Sequence, residues 1–178
     1  MRVVSLSKDD QHRFSKQRVD ELTFIAGEGI VGDAHSGDKV QHRSRVKANP
    51  DQPNLRQVHL IATELIHELQ AKGFDVHPAT LGENVLTADI DLLALPTHTQ
   101  LKLGDDVTVR ITGLRNPCAQ LDHYQKGLTA AVLDRDADGQ LIRRAGVMAV
   151  VETGGVVRTG DAITVQLPDL PHQALEPV

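Results

Sequence analysis

Two stretches, LKLGDDVTVRI (101–111) and VVRTGDAITVQL (156–167), repeat one construction: an apolar run, a Gly-Asp turn and a strand whose apolar residues alternate. Alternation with period two puts successive side chains on opposite faces, so such a strand buries one face and wets the other. The resemblance is repeated hairpin construction, not a tandem repeat. Strand patterns also cover RVVSLS (2–7), LTFIA (22–26), DVTVRITGL (106–114), AGVMAVVE (145–152) and DAITVQL (161–167). Strands outnumber helices, and no parallel crossover unit is evident. The expected fold is mainly β (α+β): a closed or partly closed, barrel-like sheet with a few helices.

Two helical patterns interrupt the strands. IATELIHELQAKG offers Thr63 as an N-cap, Leu65, Ile66 and Leu69 on one face, and Gly73 as the stop. LDHYQKGLTAAVLD (121–134) is the second, weakened by Gly127 in its middle. The polar segment 39–57 has two prolines and few apolar residues, which predicts a long surface loop. The Pro-rich tail 168–178 is expected to fray. A chain of 178 residues suits one domain with a substantial core.

That core must be aliphatic, because the chain has three Phe, one Tyr and no Trp. So few aromatics also argue against a stacking platform for single-stranded nucleic acid, and a net charge of −5 gives no global footprint for a polyphosphate. A single cysteine cannot form an internal disulfide. No run approaches the roughly 20 apolar residues of a membrane span, and the N-terminus has no signal-peptide pattern. A cytoplasmic protein with no nucleic-acid or membrane partner is expected.

Two motifs lose force on inspection. GEGIVG (27–32) matches the dinucleotide pattern G-x-G-x-x-G, but no helical periodicity follows to hold a pyrophosphate. DRDADG (134–139) opens like a calcium loop, yet Ala145 stands where the bidentate Glu belongs, so an Asp/Gly hairpin turn accounts for it better.

Three constellations could carry chemistry. GDAHSGDKVQHRSR (32–45) gathers His35, His42, Arg43, Ser44 and Arg45; a mixed-charge run is commonly a solvated face, but two arginines and a serine in a glycine-hinged loop also suit a small oxyanion. Zinc would need His35, His42, His59 and Cys118 to converge, and no ligand-pair spacing supports that. LGENVLT (81–87) is a turn that exposes polar side chains at Glu83 and Asn84. TGLRNPCAQLDHYQ (112–125) holds the lone Cys118. Asn116 as N-cap and Pro117 at the first helical position would put Cys118 in a first turn, where the dipole and Arg115 favour a thiolate. The alternative is a small buried apolar residue, the commoner fate of an intracellular cysteine.

Taken in order, GIVGDAHSG, QHRSR, RQVHLIATELIHEL, LGENVLTADIDLLALP, LKLGDDVTVRITGLRNPC and RAGVMAVVETGGVVRTGDAITV resemble the MOSC family, named for the C-terminal domain of molybdenum-cofactor sulfurases. The match runs over about residues 25–167 and looks most like the compact bacterial members that stand alone. The resemblance implies a strand-rich, barrel-like fold. It also implies that Cys118 is the functional thiol, either ligating the molybdenum of a molybdopterin cofactor or carrying sulfur as a persulfide. By the same resemblance Arg115 and Asn116 flank the metal, Asn84 lines the pocket, and His35, Arg43 and Arg45 lie near the cofactor phosphate or the substrate.

The activity so implied is reduction of N-hydroxylated compounds, with a non-redox sulfur carrier as the alternative. The larger relatives have a separate N-terminal barrel domain that this chain does not match. The chain also shows no flavin domain and no iron–sulfur cysteine set. A small-molecule substrate and a separate electron-donor or sulfur-donor protein are therefore the expected partners.

Overall fold

The computed structural model describes residues 1–41, 46, 47 and 49–178. Numbered along the chain, its strands are β1 (Arg2–Lys8), β2 (Gln17–Val19), β3 (Glu21–Ile25), β4 (Gly29–Ile30), β5 (Val58–Ala62), β6 (Val85–Ala88), β7 (Gln100–Leu103), β8 (Val107–Leu114), β9 (Leu133–Arg135), β10 (Leu141–Arg143), β11 (Val147–Thr153), β12 (Gly155–Arg158) and β13 (Ile163–Gln166). The helices are α1 (Thr63–Ala71), α2 (Gln120–Tyr124) and α3 (Leu128–Ala131), with one 3-10 turn at Leu92–Ala94. The protein is mainly β with a few helices, as the strand patterns predict.

Eight strands form the main sheet in the order β13-β7-β8-β11-β5-β6-β1-β2, and β12-β3-β4 form a second. The order has two ends, so the described strands do not close into a ring. An isolated antiparallel bridge joins Arg2 to Ala162, just ahead of β13. On β8 the burial alternates without a break, with Val107, Val109 and Ile111 inward. The hairpin turn expected at 134–139 is found at 136–140, between the paired β9 and β10, with the Asp136 carboxylate accepting from the amides of Asp138 and Gln140. GEGIVG spans the turn into β4, with no helix behind it.

One connection differs from expectation. Strands β5 and β6 pair in parallel through α1, so a β-α-β crossover is present after all. Both strands are short apolar runs buried on both faces, as a crossover helix demands. Leu60 and Val85 join the core between the sheets, while Ile61 and Leu86 face a second core with Leu65, Ile66 and Leu69 of α1. Burying each of those three helix side chains is worth about 2 kcal/mol. The α1 cap position falls on Ala62, not Thr63, and no side chain caps it.

Two further expectations are corrected. The helix over 121–134 is divided into α2 and α3 at Gly127, whose φ of 90° no helix contains. The end of the tail is tied to the body of the protein over residues 173–178. Leu114 N donates to Glu176 O at 2.8 Å, Thr97 N donates to Gln173 O at 2.9 Å, and Leu175 packs on the main core. Gly113 permits this approach, because a Cβ there would lie 2.3 Å from Glu176 O. Among the described residues no helix is long and apolar enough to cross a membrane.

Candidate functional site

His59 of β5, Met148 of β11 and Gly113 of β8 are register partners across three adjacent strands. At that level the chain leaves β8 and enters the loop Arg115–Cys118, which Arg115 N anchors to Gly146 O at 3.0 Å. Asn84, just ahead of β6, is fixed beside it, with its amide bonded to His59 O at 2.8 Å. These segments frame a cleft of about 550 Å³. It holds five of the residues that the resemblance assigns to the site: His35, Asn84, Arg115, Asn116 and Cys118. Arg43 and Arg45, with His42, lie outside the described residues.

The thiol of Cys118 is exposed, which removes the buried-filler reading. Among the described residues its one hydrogen bond is a weak contact of 3.5 Å to Gln120 Oε1. The expected cap is absent, since α2 begins at Gln120, two residues beyond Cys118. Asn116 Oδ1 instead accepts from Arg143 Nε at 3.0 Å. Pro117 and Cys118 therefore form a loop ahead of a five-residue helix, and the first-turn argument for the thiol does not hold.

Asp33 organises the wall opposite. It accepts the Lys16 ammonium and, at 2.8 Å, Asn84 Nδ2 on Oδ2; on Oδ1 it accepts the His35 amide at 2.9 Å and His35 Nδ1 at 3.2 Å. Burial alone would raise its pKa. The His35 hydrogen bond and the Lys16 charge outweigh burial and hold the carboxyl far below the usual carboxylate range. Burial pushes the Lys16 ammonium down, and Asp33 pulls it back. His12 meets His35 edge-on, ring centres 5.0 Å apart.

His59 is buried, and its Nε2–H donates to the Ala145 carbonyl at 2.8 Å. Burial first, then the Arg115 charge, drives its pKa well below that of a free imidazole, so the ring is neutral. Arg115 lines the cleft with one terminal nitrogen, Nη1, buried and unpartnered among the described residues. Burial opposes the Arg115 charge, while Cys118 and Glu83 support it. Glu83 itself is enclosed below the cleft wall. Desolvation raises its carboxyl to about 7 against the Ala79 amide and the charges of Arg115 and Lys16.

Among the described residues Arg13, Lys16, Arg56, Arg115 and four histidines line the cleft, and no carboxylate does. On a chain with net charge −5 this is a local inversion that favours an anion. Among the described residues no three His, Cys, Asp or Glu side chains converge to hold a metal alone. The sequence reading missed Lys16, His12, Arg56 and His123 as cleft residues. Its one available signal was the basic cluster HRFSK (12–16), with no local periodicity to give it a place.

A similar fold occurs in solved structures. The YuaD protein from Bacillus subtilis matches with a TM-score of 0.76 and 26% identity over 94% of this chain and 96% of that one. YiiM from Escherichia coli matches with a TM-score of 0.62 and 16% identity over 97% and 73%. YiiM from Geobacillus stearothermophilus gives 0.62 and 14% over 97% and 77%, and at such identities these two speak for the fold alone. No curated protein matches the sequence. The MOSC domain model matches residues 32–164, a span that includes His35, His59, Asn84, Arg115 and Cys118 of the cleft, and the chain belongs to the MOSC domain family.

Proposed function

We propose that the protein is a molybdenum-cofactor-binding oxidoreductase that reduces N-hydroxylated compounds, with Cys118 as the protein ligand to the metal. One observation carries this: the exposed thiol opens into a cleft lined by cations, beside an arginine nitrogen that is buried without a partner among the described residues. Those features fit an anionic, phosphate-bearing molybdopterin whose metal needs a soft sulfur donor. When bound, that cofactor supplies a two-electron redox centre.

Cys118 would hold the metal; Arg115, Lys16 and Arg56 would hold the anionic end. His35, oriented by Asp33, and Asn84, fixed between Asp33 and His59, would position the substrate. Reduction of R–NHOH to R–NH2 breaks the N–O bond and consumes two electrons and two protons. One proton goes to nitrogen and one leaves with the oxygen as water. The electrons come from a separate redox protein. The protein works as a single domain in the cytoplasm.

Molybdenum analysis of protein purified from a cofactor-competent host tests the reading. Wild type is expected to carry molybdenum in proportion to protein, and Cys118→Ala to lose it. A metal-free wild type with an intact thiol refutes the proposal.

The exposure of Cys118 also favours a second reading, a persulfide carrier served by a sulfur-donor protein. Intact-mass measurement after sulfur donation distinguishes it by a reducible gain of one sulfur atom on Cys118.

A further inference from the structure

Glu83 is 1% exposed, yet only half of its carboxyl is engaged. Oε1 accepts from Ala79 N at 2.5 Å, while Oε2 is buried with no partner among the described residues. The residue is fixed from both sides. Ser7 Oγ donates to its carbonyl, and its neighbours Gly82 and Asn84 both line the cleft. Gly82 has φ 78°, and a Cβ there would lie 2.6 Å from Phe14 O, so the turn that sets the Glu83 backbone admits no bulkier residue at Gly82.

The charges that reach Glu83 are Arg115, beyond β8, and Lys16, ahead of β2. Lys16 is already paired with Asp33 and also feels Asp9. His59 on β5 is neutral. Arg115 is therefore the cation that Glu83 must share with whatever enters the cleft. Its Nη1 and the Glu83 Oε2 are two buried orphan atoms of opposite polarity.

We infer that Glu83 is a positioning residue for Arg115, and that the cleft binds its anion most firmly when Glu83 is neutral. The inference rests on the reading of the cleft as an anion seat. An anion and a carboxylate compete for one guanidinium in a low-dielectric setting, and the carboxylate can give way by taking up a proton. Its carboxyl, raised to about 7, does so at neutral pH with little cost. By linkage, ligand binding draws a proton onto Glu83, and rising pH weakens binding.

Sulfate is a suitable probe, because it stays a dianion where phosphate titrates. The cleft carries other ionisable side chains, so wild type alone does not isolate Glu83. Affinity of the full chain for sulfate is measured at about pH 6 and about pH 8 for wild type, Glu83→Gln and Glu83→Asp. Glu83→Gln is expected to match wild type at the lower pH and to bind about fivefold tighter at the higher. Glu83→Asp, which keeps the acid, is expected to restore the wild-type profile.

Weaker binding by Glu83→Gln at both pH values would mean a structural role and would overturn the inference; so would identical wild-type and Glu83→Gln profiles. Sulfate binding by neither protein at either pH overturns the anion-seat reading as well. Wild type gives a second readout that no histidine can mimic. Near neutral pH, sulfate should increase the infrared band of a protonated carboxyl, and an unchanged band overturns the inference.

Discussion

Asn84 donates from Nδ2 to the Asp33 carboxylate at 2.8 Å, which joins the turn ahead of β6 to the loop after β4 across 51 positions of sequence. Its Oδ1 accepts from His59 N at 3.1 Å, so one buried amide holds three segments of the cleft. Asn84→Ala leaves Asp33 short of a donor and His59 N unpaired. A loss of about 3 kcal/mol is expected in urea unfolding, with the m-value unchanged. Asn84→Asp is expected to cost more, because it sets a second carboxylate against the first.

Lys16 and Asp33 form a buried ion pair, with side chains 4% and 0% exposed. Lys16→Met strands the carboxylate and is expected to cost about 4 kcal/mol. In that background Asp33→Asn is expected to recover part of the loss, and a double-mutant cycle measures the coupling. Asp33 also sets an acid limit. Its folded pKa lies below the unfolded value of 3.8, so its contribution is present above that pH and is lost as pH falls through the folded pKa. The acid limb of the wild-type stability profile should flatten in Asp33→Asn.

Glu83 gives the opposite slope. Its carboxyl is raised from 4.5 to about 7 on folding, so the native state holds the extra proton between those values. Stability therefore falls as pH rises through that window, by about 3 kcal/mol in all. Glu83→Gln removes this slope. Urea midpoints of the two proteins should diverge in favour of the variant as pH rises from about 5 to about 8.

Gly113→Ala tests the seating of the tail. A Cβ meets Glu176 O at 2.3 Å, so residues 175–178 must lift from β8. The expected cost is about 2 kcal/mol. Faster hydrogen exchange at the Leu114 and Val178 amides should accompany it, since both bonds run between β8 and the tail.

Local patterns in the sequence carried a good share of the fold. The alternation VTVRI identified β8, and the Leu65, Ile66 and Leu69 stripe identified α1, because each period reports one buried face. The crossover escaped because VHLIA and VLTA, buried on both faces, have no alternation that distinguishes a parallel pair. The tail escaped because its partner is the backbone of Leu114, which leaves no mark in its own composition. Within the site, the ordered motifs brought His35, Asn84, Arg115, Asn116 and Cys118 to one cleft. Lys16 was invisible because its burial depends on Asp33, 17 positions away. His59 leaves a clue, a polar residue inside an apolar strand, but its spacing from the other histidines gives it no role.

The bridge between Arg2 and Ala162 has a kinetic meaning. Contacts between distant parts of a chain form slowly, because a long loop must close before it is rewarded. A nascent chain has to expose nearly all of its length before this contact can form. The cleft residues all lie within the span of chain that this contact closes. Ligand binding should therefore report whole-chain folding, and a ligand added during refolding should trap only molecules whose first and last strands have already met.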